Sequence, residues 1–324
     1  MSLLEYELEE ETLLAAPRRR EFEYEQLLEG PEYAVVGGRD DRFHIPARRT
    51  RPGTLLYPFT TICWLEILNA SGGLLGTGTG TLIAPQVVLT AKHCLMNVSP
   101  PRGRRARAVG SWYPQVRVSP GTGRAPAGAL VRPANPASLI APSSRFRAHP
   151  ELDFGIAVLP RPFLRPGRPF MLLQPRSAAR TATLLTIAGY PCDKPRGSMW
   201  GHSDRIPLVR ESSEHLFYRI DTCPGHSGSP IWLLGGRGVR ILLGVHTSGP
   251  ARALGAPAAC ANDPITRRCR PTGAPVRPVG GTNAGVRVTC EVIDTILRWC
   301  RELGVRELPQ FDRAQYRRAC GRRA

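Results

Sequence analysis

CPGHSGSP, residues 223–230, lies between two runs of strand type, HLFYRIDT at 215–222 and SPIWLL at 229–234. A serine hydroxyl is a weak nucleophile. It needs a base to take its proton and donors to hold the oxyanion that forms on the attacked carbonyl. Gly225, two residues before Ser227, permits a turn in which the N–H groups of Gly225 and Ser227 converge on one point, and Gly228 leaves room beyond the hydroxyl. A bare GxSG is common in turns. The whole string GHSGSP between two β-type runs is far more specific and sets an expectation of catalytic serine chemistry on a β scaffold.

Working outward, a base is offered by LTAKHC at 89–94, where His93 follows an apolar strand and the small residue Ala91. The third group is Asp153 in HPELDFGIAVL, at the head of a run that otherwise reads as a buried strand. A carboxylate there is costly without a partner such as an imidazole N–H. Each residue alone has a plainer reading, His93 as a structural histidine and Asp153 as a turn or strand-end cap. Together they stand in the order His93, Asp153, Ser227, separated by 60 and 74 residues. That order is the one found in chymotrypsin and differs from the orders of subtilisins and α/β-hydrolases.

TAKHC, DFGIAVL and GHSGSP resemble the trypsin-like serine protease superfamily. GYPCDKPRGSMW at 189–200 and LLGVHTSG at 242–249 are similar to the bacterial glutamyl endopeptidase branch, of which the staphylococcal enzyme is the type. The resemblance covers most of residues 35–300 and is faint over 101–147 and at the C-terminus. It implies an all-β fold of two six-stranded antiparallel barrels, chymotrypsin-like, with the three residues in the cleft between them and a C-terminal α-helix. His246 and Thr222 match the family positions that hold an acidic side chain before the scissile bond, so the resemblance implies cleavage after Glu, with Asp second. VVGGRDDRFHI at 35–45 resembles the start of the mature staphylococcal enzyme, whose valine α-amine helps to bind that acid. This places Val35 at a processed N-terminus and makes residues 1–34 a leader or propeptide. Cys63 and Cys94 resemble the bridge beside the catalytic histidine of animal trypsins. Cys223 pairs with either Cys192 or Cys260. His226 departs from the Asn, Asp or Gln common before the nucleophile, where only the backbone is expected to matter.

Composition is consistent with this reading. Gly and Pro number 33 and 32 in 324 residues, which suits short strands with many turns. One amphipathic helix is expected in CEVIDTILRWCREL at 290–303, where Val292, Ile293, Ile296, Leu297 and Trp299 recur at helical spacing. The expected divisions are 1–34, an acidic leader; 35–160, a first barrel carrying His93 and Asp153; 161–304, a second barrel with Ser227 and the pocket; and 305–324, a basic tail.

The net charge of +18 hides an asymmetry, since residues 1–34 hold ten Glu against three Arg. A strongly basic chain raises nucleic acid as a partner, yet no zinc-finger spacing, helix-turn-helix pattern or aromatic-interleaved basic region accompanies the charge. The cysteines form no CxxC pairs, so no metal is expected, and no cofactor either. No apolar run reaches 18 residues, so no membrane contact is expected. Nine cysteines point to disulfides and a secreted destination, although the N-terminus MSLLEYELEEE is not a recognisable signal peptide. The expected partners are protein or peptide substrates bearing acidic residues, bound by a monomer. The alternative is an inactive homologue that keeps the barrels as a binding module.

Overall fold

The computed structural model describes residues 40–45, 57–97, 110–124, 130–131, 138–163, 170–175, 184–205, 210–211, 213–236, 239–248 and 283–321. The leader, Val35 and Cys260 therefore lie outside the described residues.

In chain order the strands are β1 (Phe43–Ile45), β2 (Ile62–Leu68), β3 (Leu74–Ala84), β4 (Val87–Thr90), β5 (Met96–Asn97), β6 (Ser111–Trp112), β7 (Gln115–Pro120), β8 (Gly123–Arg124), β9 (Leu130–Val131), β10 (Leu139–Pro142), β11 (Phe146–Ala148), β12 (Gly155–Val158), β13 (Leu172–Leu173), β14 (Leu184–Gly189), β15 (Met199–Arg205), β16 (Arg210–Glu211), β17 (His215–Tyr218), β18 (Pro230–Leu234), β19 (Arg240–Ser248) and β20 (Asn283–Arg287). Helices α1 (Cys290–Glu302) and α2 (Arg313–Cys320) follow. A seven-stranded antiparallel sheet runs β10-β7-β2-β3-β4-β12-β11. A nine-stranded sheet runs β1-β15-β14-β18-β19-β20-β17-β16, with β13 added parallel to β19. The expected all-β architecture of two curled sheets with a helix near the C-terminus is present. β1 pairs with β15 of the second sheet, although it belongs to the sequence stretch assigned to the first barrel.

The strands nearest the site are apolar on both faces. VVLT in β4 and GIAV in β12 are wholly buried and pair with each other, which brings the end of β4, just before His93, beside the start of β12, just after Asp153. Glu66 in β2 is buried, and its charge is met by Arg117, its register partner on β7, at 3.1 Å and by Arg196 at 2.5 Å. Helix α1 is capped by Thr289, whose Oγ1 accepts the Val292 N–H. It buries Val292, Ile293, Ile296, Leu297, Trp299 and Cys300. Trp299 packs on Phe154, ring centroids 5.5 Å apart, so the helix backs the residue next to Asp153.

The stretch expected as a basic tail carries α2. Its only buried residue is Tyr316, so no apolar period announces it in the sequence. It is fixed by tertiary contacts. Asp312 caps it, Tyr316 Oη donates to Asp294, and a Cys290–Cys320 disulfide joins it to α1.

The expected Cys63–Cys94 bridge is absent, and both are free, buried thiols. Cys63 lies in register with Gly80 and its thiol points to Thr61 O. Cys94 faces Gly78 instead, where a Cβ would stand 2.7 Å from its Sγ and 3.7 Å from its Cβ. A Cβ–Cβ distance of that size is the disulfide mean. Oxidised Gly78→Cys is accordingly expected to show one free thiol fewer than the parent on titration in denaturant. Closing a loop of about 15 residues should add about 3 kcal/mol to the unfolding free energy. A thiol count that rises by one would overturn this geometric reading. Cys192 and Cys223 are both in disulfides. Their bridges are not to each other among the described residues, and Cys192 N donates to the carbonyl of Pro224 at 2.7 Å.

Candidate active site

His93 sits in a single 3-10 turn, Lys92–Cys94, that follows β4. Its ring Nδ1 lies 2.7 Å from Asp153 Oδ2, and its backbone N–H donates to Asp153 Oδ1 at 3.1 Å. One carboxylate thus fixes both the backbone and the ring of the histidine. The carboxylate favours the tautomer with its proton on Nδ1 and leaves Nε2 as a buried acceptor without a hydrogen-bond partner among the described residues. Burial pushes the His93 pKa down, but the charge and hydrogen bond of Asp153 outweigh it, helped by the neighbouring Cys94, and hold it well above the ordinary value. Burial likewise acts to raise Asp153, and the His93 interaction overcomes it and holds the carboxyl below its ordinary value.

The turn that carries Asp153 is braced in a way the sequence reading missed. His149 Nδ1 accepts the Leu152 N–H at 2.9 Å, and its ring stacks on Phe154. Lys92, adjacent to His93, donates from Nζ to the carbonyls of His149 and Pro150, both at 3.1 Å. The signal in the sequence was the charge in TAKHC, a lysine beside the histidine with no assigned partner.

Ser227 is anchored against the same region through its backbone. Its carbonyl accepts the Thr79 N–H at 2.8 Å and the Cys94 thiol at 3.5 Å. The structure joins His93 to Asp153 directly, whereas Ser227 lies beside them without a hydrogen bond to His93 Nε2. Such bonds are often long in a free enzyme and tighten when substrate binds.

Gly225 and Gly228 have φ of 94° and 87°, where a side chain is strained. A Cβ at Gly225 would strike the carbonyl of Tyr190, and one at Gly228 would strike that of Thr79. Thr79 Oγ1 accepts the Tyr190 N–H and donates to Gly225 O at 2.6 Å. No backbone acceptor among the described residues engages the N–H of Gly225 or of Ser227. Two free donors two residues apart in a rigid turn form an anion-receiving arrangement.

His226 does more than supply backbone, which corrects the expectation from sequence. Its buried ring accepts the Cys223 N–H on Nδ1 at 3.0 Å and reaches Trp200 O through Nε2 at 3.3 Å. It ties the turn before Ser227 to β15. Burial and then the nearby Arg42 charge lower its pKa to about 3. Arg42 itself is buried between Asp40 and Asp193, and Lys194 also bonds Asp40, which pins the segment at 40–42 to the loop after β14.

His246, on β19, is buried, and its Nδ1 lies 2.6 Å from Tyr218 Oη. Burial lowers its pKa to about 3, with His226 adding to the effect, so the ring is neutral. Thr222 Oγ1 is buried without a hydrogen-bond partner among the described residues. The adjacent Asp221 carboxylate accepts the Asp41 N–H at 2.9 Å and lies 3.4 Å from His202 Nδ1, which in turn accepts the Asp221 N–H. Asp41, His202 and Asp221 form a compact group, and the facing atoms of His202 and Asp221 are already engaged by backbone donors.

His226 and His246 give a pH prediction. Both are held neutral in the folded protein with pKa near 3, against 6.5 for an ordinary histidine. Between those values the unfolded chain binds more protons, so stability is complete above pH 6.5 and falls as pH drops toward 3. The expected slope is on the order of 1 kcal/mol per pH unit for each ring. Urea midpoints measured from pH 7 to pH 4 check it, and a flat profile would contradict the neutral assignment.

Residues 78–240 match the family described as the trypsin-like peptidase domain. Over 272 residues, 82% of this chain and 68% of the other, the sequence is 27% identical to the glutamyl endopeptidase of Bacillus licheniformis. A stretch of 65 residues, 20% of this chain and 21% of the other, is 34% identical to the glutamyl endopeptidase of Staphylococcus epidermidis. A solved structure of a Glu endopeptidase aligns with a TM-score of 0.54 and 22% identity over 81% of this chain and 97% of that one. That likeness is one of fold: the two curled sheets are the two antiparallel barrels of a chymotrypsin-like architecture.

Proposed function

The chain belongs to the trypsin-like peptidase family, and from that premise we propose that it is a serine endopeptidase that cuts after Glu, and less readily after Asp, through an acyl-enzyme. The observation that carries the proposal is the His93–Asp153 pair, which leaves a buried Nε2 without a partner among the described residues, on a residue whose neighbour Cys94 directs its thiol to Ser227 O. In the reaction Ser227 Oγ attacks the substrate carbonyl and its proton passes to His93 Nε2. Asp153 holds the ring and stabilises the imidazolium. The N–H groups of Gly225 and Ser227 receive the oxyanion. His93 then returns the proton to the leaving amine, and water repeats the sequence to release the acid.

An acidic side chain loses its water on entering a pocket and must be repaid with hydrogen bonds or positive charge. Thr222 Oγ1, buried and unengaged, is one donor. His246 is the second: Tyr218 keeps its proton, because burial raises its pKa well above the ordinary value, and donates to His246 Nδ1. The proton of the neutral ring is then on Nε2. The Asp221 carboxylate beside Thr222 is buried and already accepts the Asp41 N–H, so it is not a free counter-charge for a basic substrate side chain. The names of the two bacterial relatives support the same preference.

Processing before Val35 would add a cationic α-amine to this pocket. Asp41, six residues downstream, is bonded to Asp221. Six residues span up to about 20 Å, long enough for a new terminal amine to reach Thr222. Residues 1–34 then act as a propeptide. The Cys290–Cys320 disulfide fits a secreted destination.

Digestion of a peptide library by the protein tests the preference. Cuts concentrated after Glu are expected, whereas cuts mainly after Arg, Lys or large apolar residues would reject the acidic pocket while leaving the hydrolase reading intact.

A further inference from the structure

The two N–H groups that receive the oxyanion are aimed in different ways. The Ser227 N–H points opposite to His226 O, which accepts the Ser229 N–H at 2.8 Å, so the turn itself sets that donor. The Gly225 N–H points opposite to Pro224 O, because the peptide bond between them is trans. Pro224 O is held from outside the turn, by the Cys192 N–H at 2.7 Å. We propose that Arg42, acting through Asp193, is a positioning residue for the oxyanion hole: it fixes Cys192 against Pro224 O and so keeps the Gly225 N–H turned toward the substrate carbonyl. The inference rests on the reading of Ser227 as nucleophile.

The loop after β14 lies flush against this donor. A Cβ on Gly225 would stand 2.3 Å from Tyr190 O and 3.1 Å from Cys192 N. Withdrawal of Cys192 by about 1 Å would break its bond to Pro224 O and release the peptide that carries the Gly225 N–H.

Arg42 is where the loop is made fast. Its side chain is wholly buried, and its guanidinium grips both carboxylate oxygens of Asp193, Nη1 to Oδ1 at 3.0 Å and Nη2 to Oδ2 at 2.5 Å. Nε and Nη2 also hold Asp40, each at 2.8 Å, and Lys194 meets Asp40 at 2.8 Å. Two carboxylates thus face two cations, so burial leaves no charge uncompensated. A planar fork fixes direction as well as distance, which a point charge does not. On the other side, the Tyr190 N–H donates to Thr79 Oγ1 at 3.0 Å, whereas the disulfide of Cys192 holds its side chain and not its N–H. Tyr190 and Asp193 therefore fix the backbone on either side of Cys192. The charge of Arg42 also reaches the ring of His226, next along the turn, and helps to keep it neutral.

Asp41, adjacent to Arg42, bonds Asp221 beside the acidic pocket, so the test has to separate the hole from the pocket. Two inhibitors of one Glu-containing sequence do so. With a peptide aldehyde, Ser227 Oγ bonds to the carbonyl carbon, its proton passes to His93 Nε2 and the carbonyl electron pair moves onto oxygen, which enters the hole. The matching peptide alcohol fills the same pocket and forms no such bond. Arg42→Met combined with Asp193→Ala removes the clamp and leaves Asp40 paired with Lys194, so no charge is orphaned. This double variant is expected to lower kcat and aldehyde affinity by about 100-fold, the scale of one lost oxyanion donor, with alcohol affinity within about 3-fold of the parent. If it does not fold, Asp193→Asn, which turns an NH₂ toward Arg42 Nη2, is read in the same way with a loss of at least about 10-fold. Retained aldehyde affinity in the folded variant, or equal weakening of both inhibitors, overturns the inference. The parent supplies a check that needs no variant: hydrogen exchange at the Cys192 amide should be slowed in the free enzyme. Exchange there at the rate of an unprotected amide overturns the inference by itself. A parent that binds aldehyde and alcohol equally overturns the reading of Ser227 instead.

Discussion

Ser227→Ala is expected to lower kcat on a Glu-containing peptide by on the order of 10⁶-fold, the loss seen when the nucleophile of a serine protease is removed. The residue is buried, and its described hydrogen bonds run through its backbone carbonyl to Thr79 and Cys94, which alanine retains. Deleting the hydroxyl should therefore leave the unfolding midpoint near that of the parent. KM should change little, because Thr222, His246 and the Gly225 turn are untouched. A fluorophosphonate probe should label the parent at one serine and leave the variant unlabelled. That pairing separates chemistry from folding. An intact parent that resists the probe would instead favour the inactive homologue, a binding module that keeps the barrels and has lost the approach of His93 Nε2 to Ser227.

Local physics explains how much of this was readable from the chain. VVLT and GIAV are short, wholly apolar runs bounded by turns, and they became the paired, buried strands that deliver His93 and Asp153. The glycines of GHSGSP are demanded by positive φ and by carbonyls that leave no room for a Cβ, so their spacing carries the geometry of the turn. What escaped was contact between remote segments. Cys94 could be matched to Cys63 only by resemblance, because nothing in the string reveals that Gly78, and no cysteine, stands opposite it. The brace made by His226 depends on Trp200 O, 26 residues away, and the Lys92 brace depends on carbonyls 57 and 58 residues away. Helix α2 has one buried side chain and is held by a disulfide and a cap, features that leave no period in the sequence.

The second large effect is expected at Asp153, where substitution by asparagine keeps the shape and removes the charge. The carboxylate accepts from both His93 N and Nδ1, at 3.1 and 2.7 Å, which is why the ring keeps Nε2 unprotonated. An asparagine whose oxygen still accepts from His93 N turns its NH₂ toward Nδ1. The ring must then accept on Nδ1 and carry its proton on Nε2, the wrong tautomer for a base, and kcat should fall by about 10⁴-fold. The pH profile distinguishes this from simple damage. Burial acts to lower the His93 pKa, and Asp153 outweighs it and holds the value well above 6.5. Because only the neutral ring can take the serine proton, kcat/KM of the parent should rise with pH around a midpoint above 6.5 and reach its plateau in the alkaline range. Removing the carboxylate leaves burial unopposed, so the residual activity of Asp153→Asn should have its acid limb at lower pH than the parent. Measuring kcat/KM from pH 5 to pH 10 for both proteins tests the two expectations at once. A variant within 10-fold of the parent and with an unmoved acid limb would show that Asp153 does not orient this histidine, and the proposed mechanism would lose its third member.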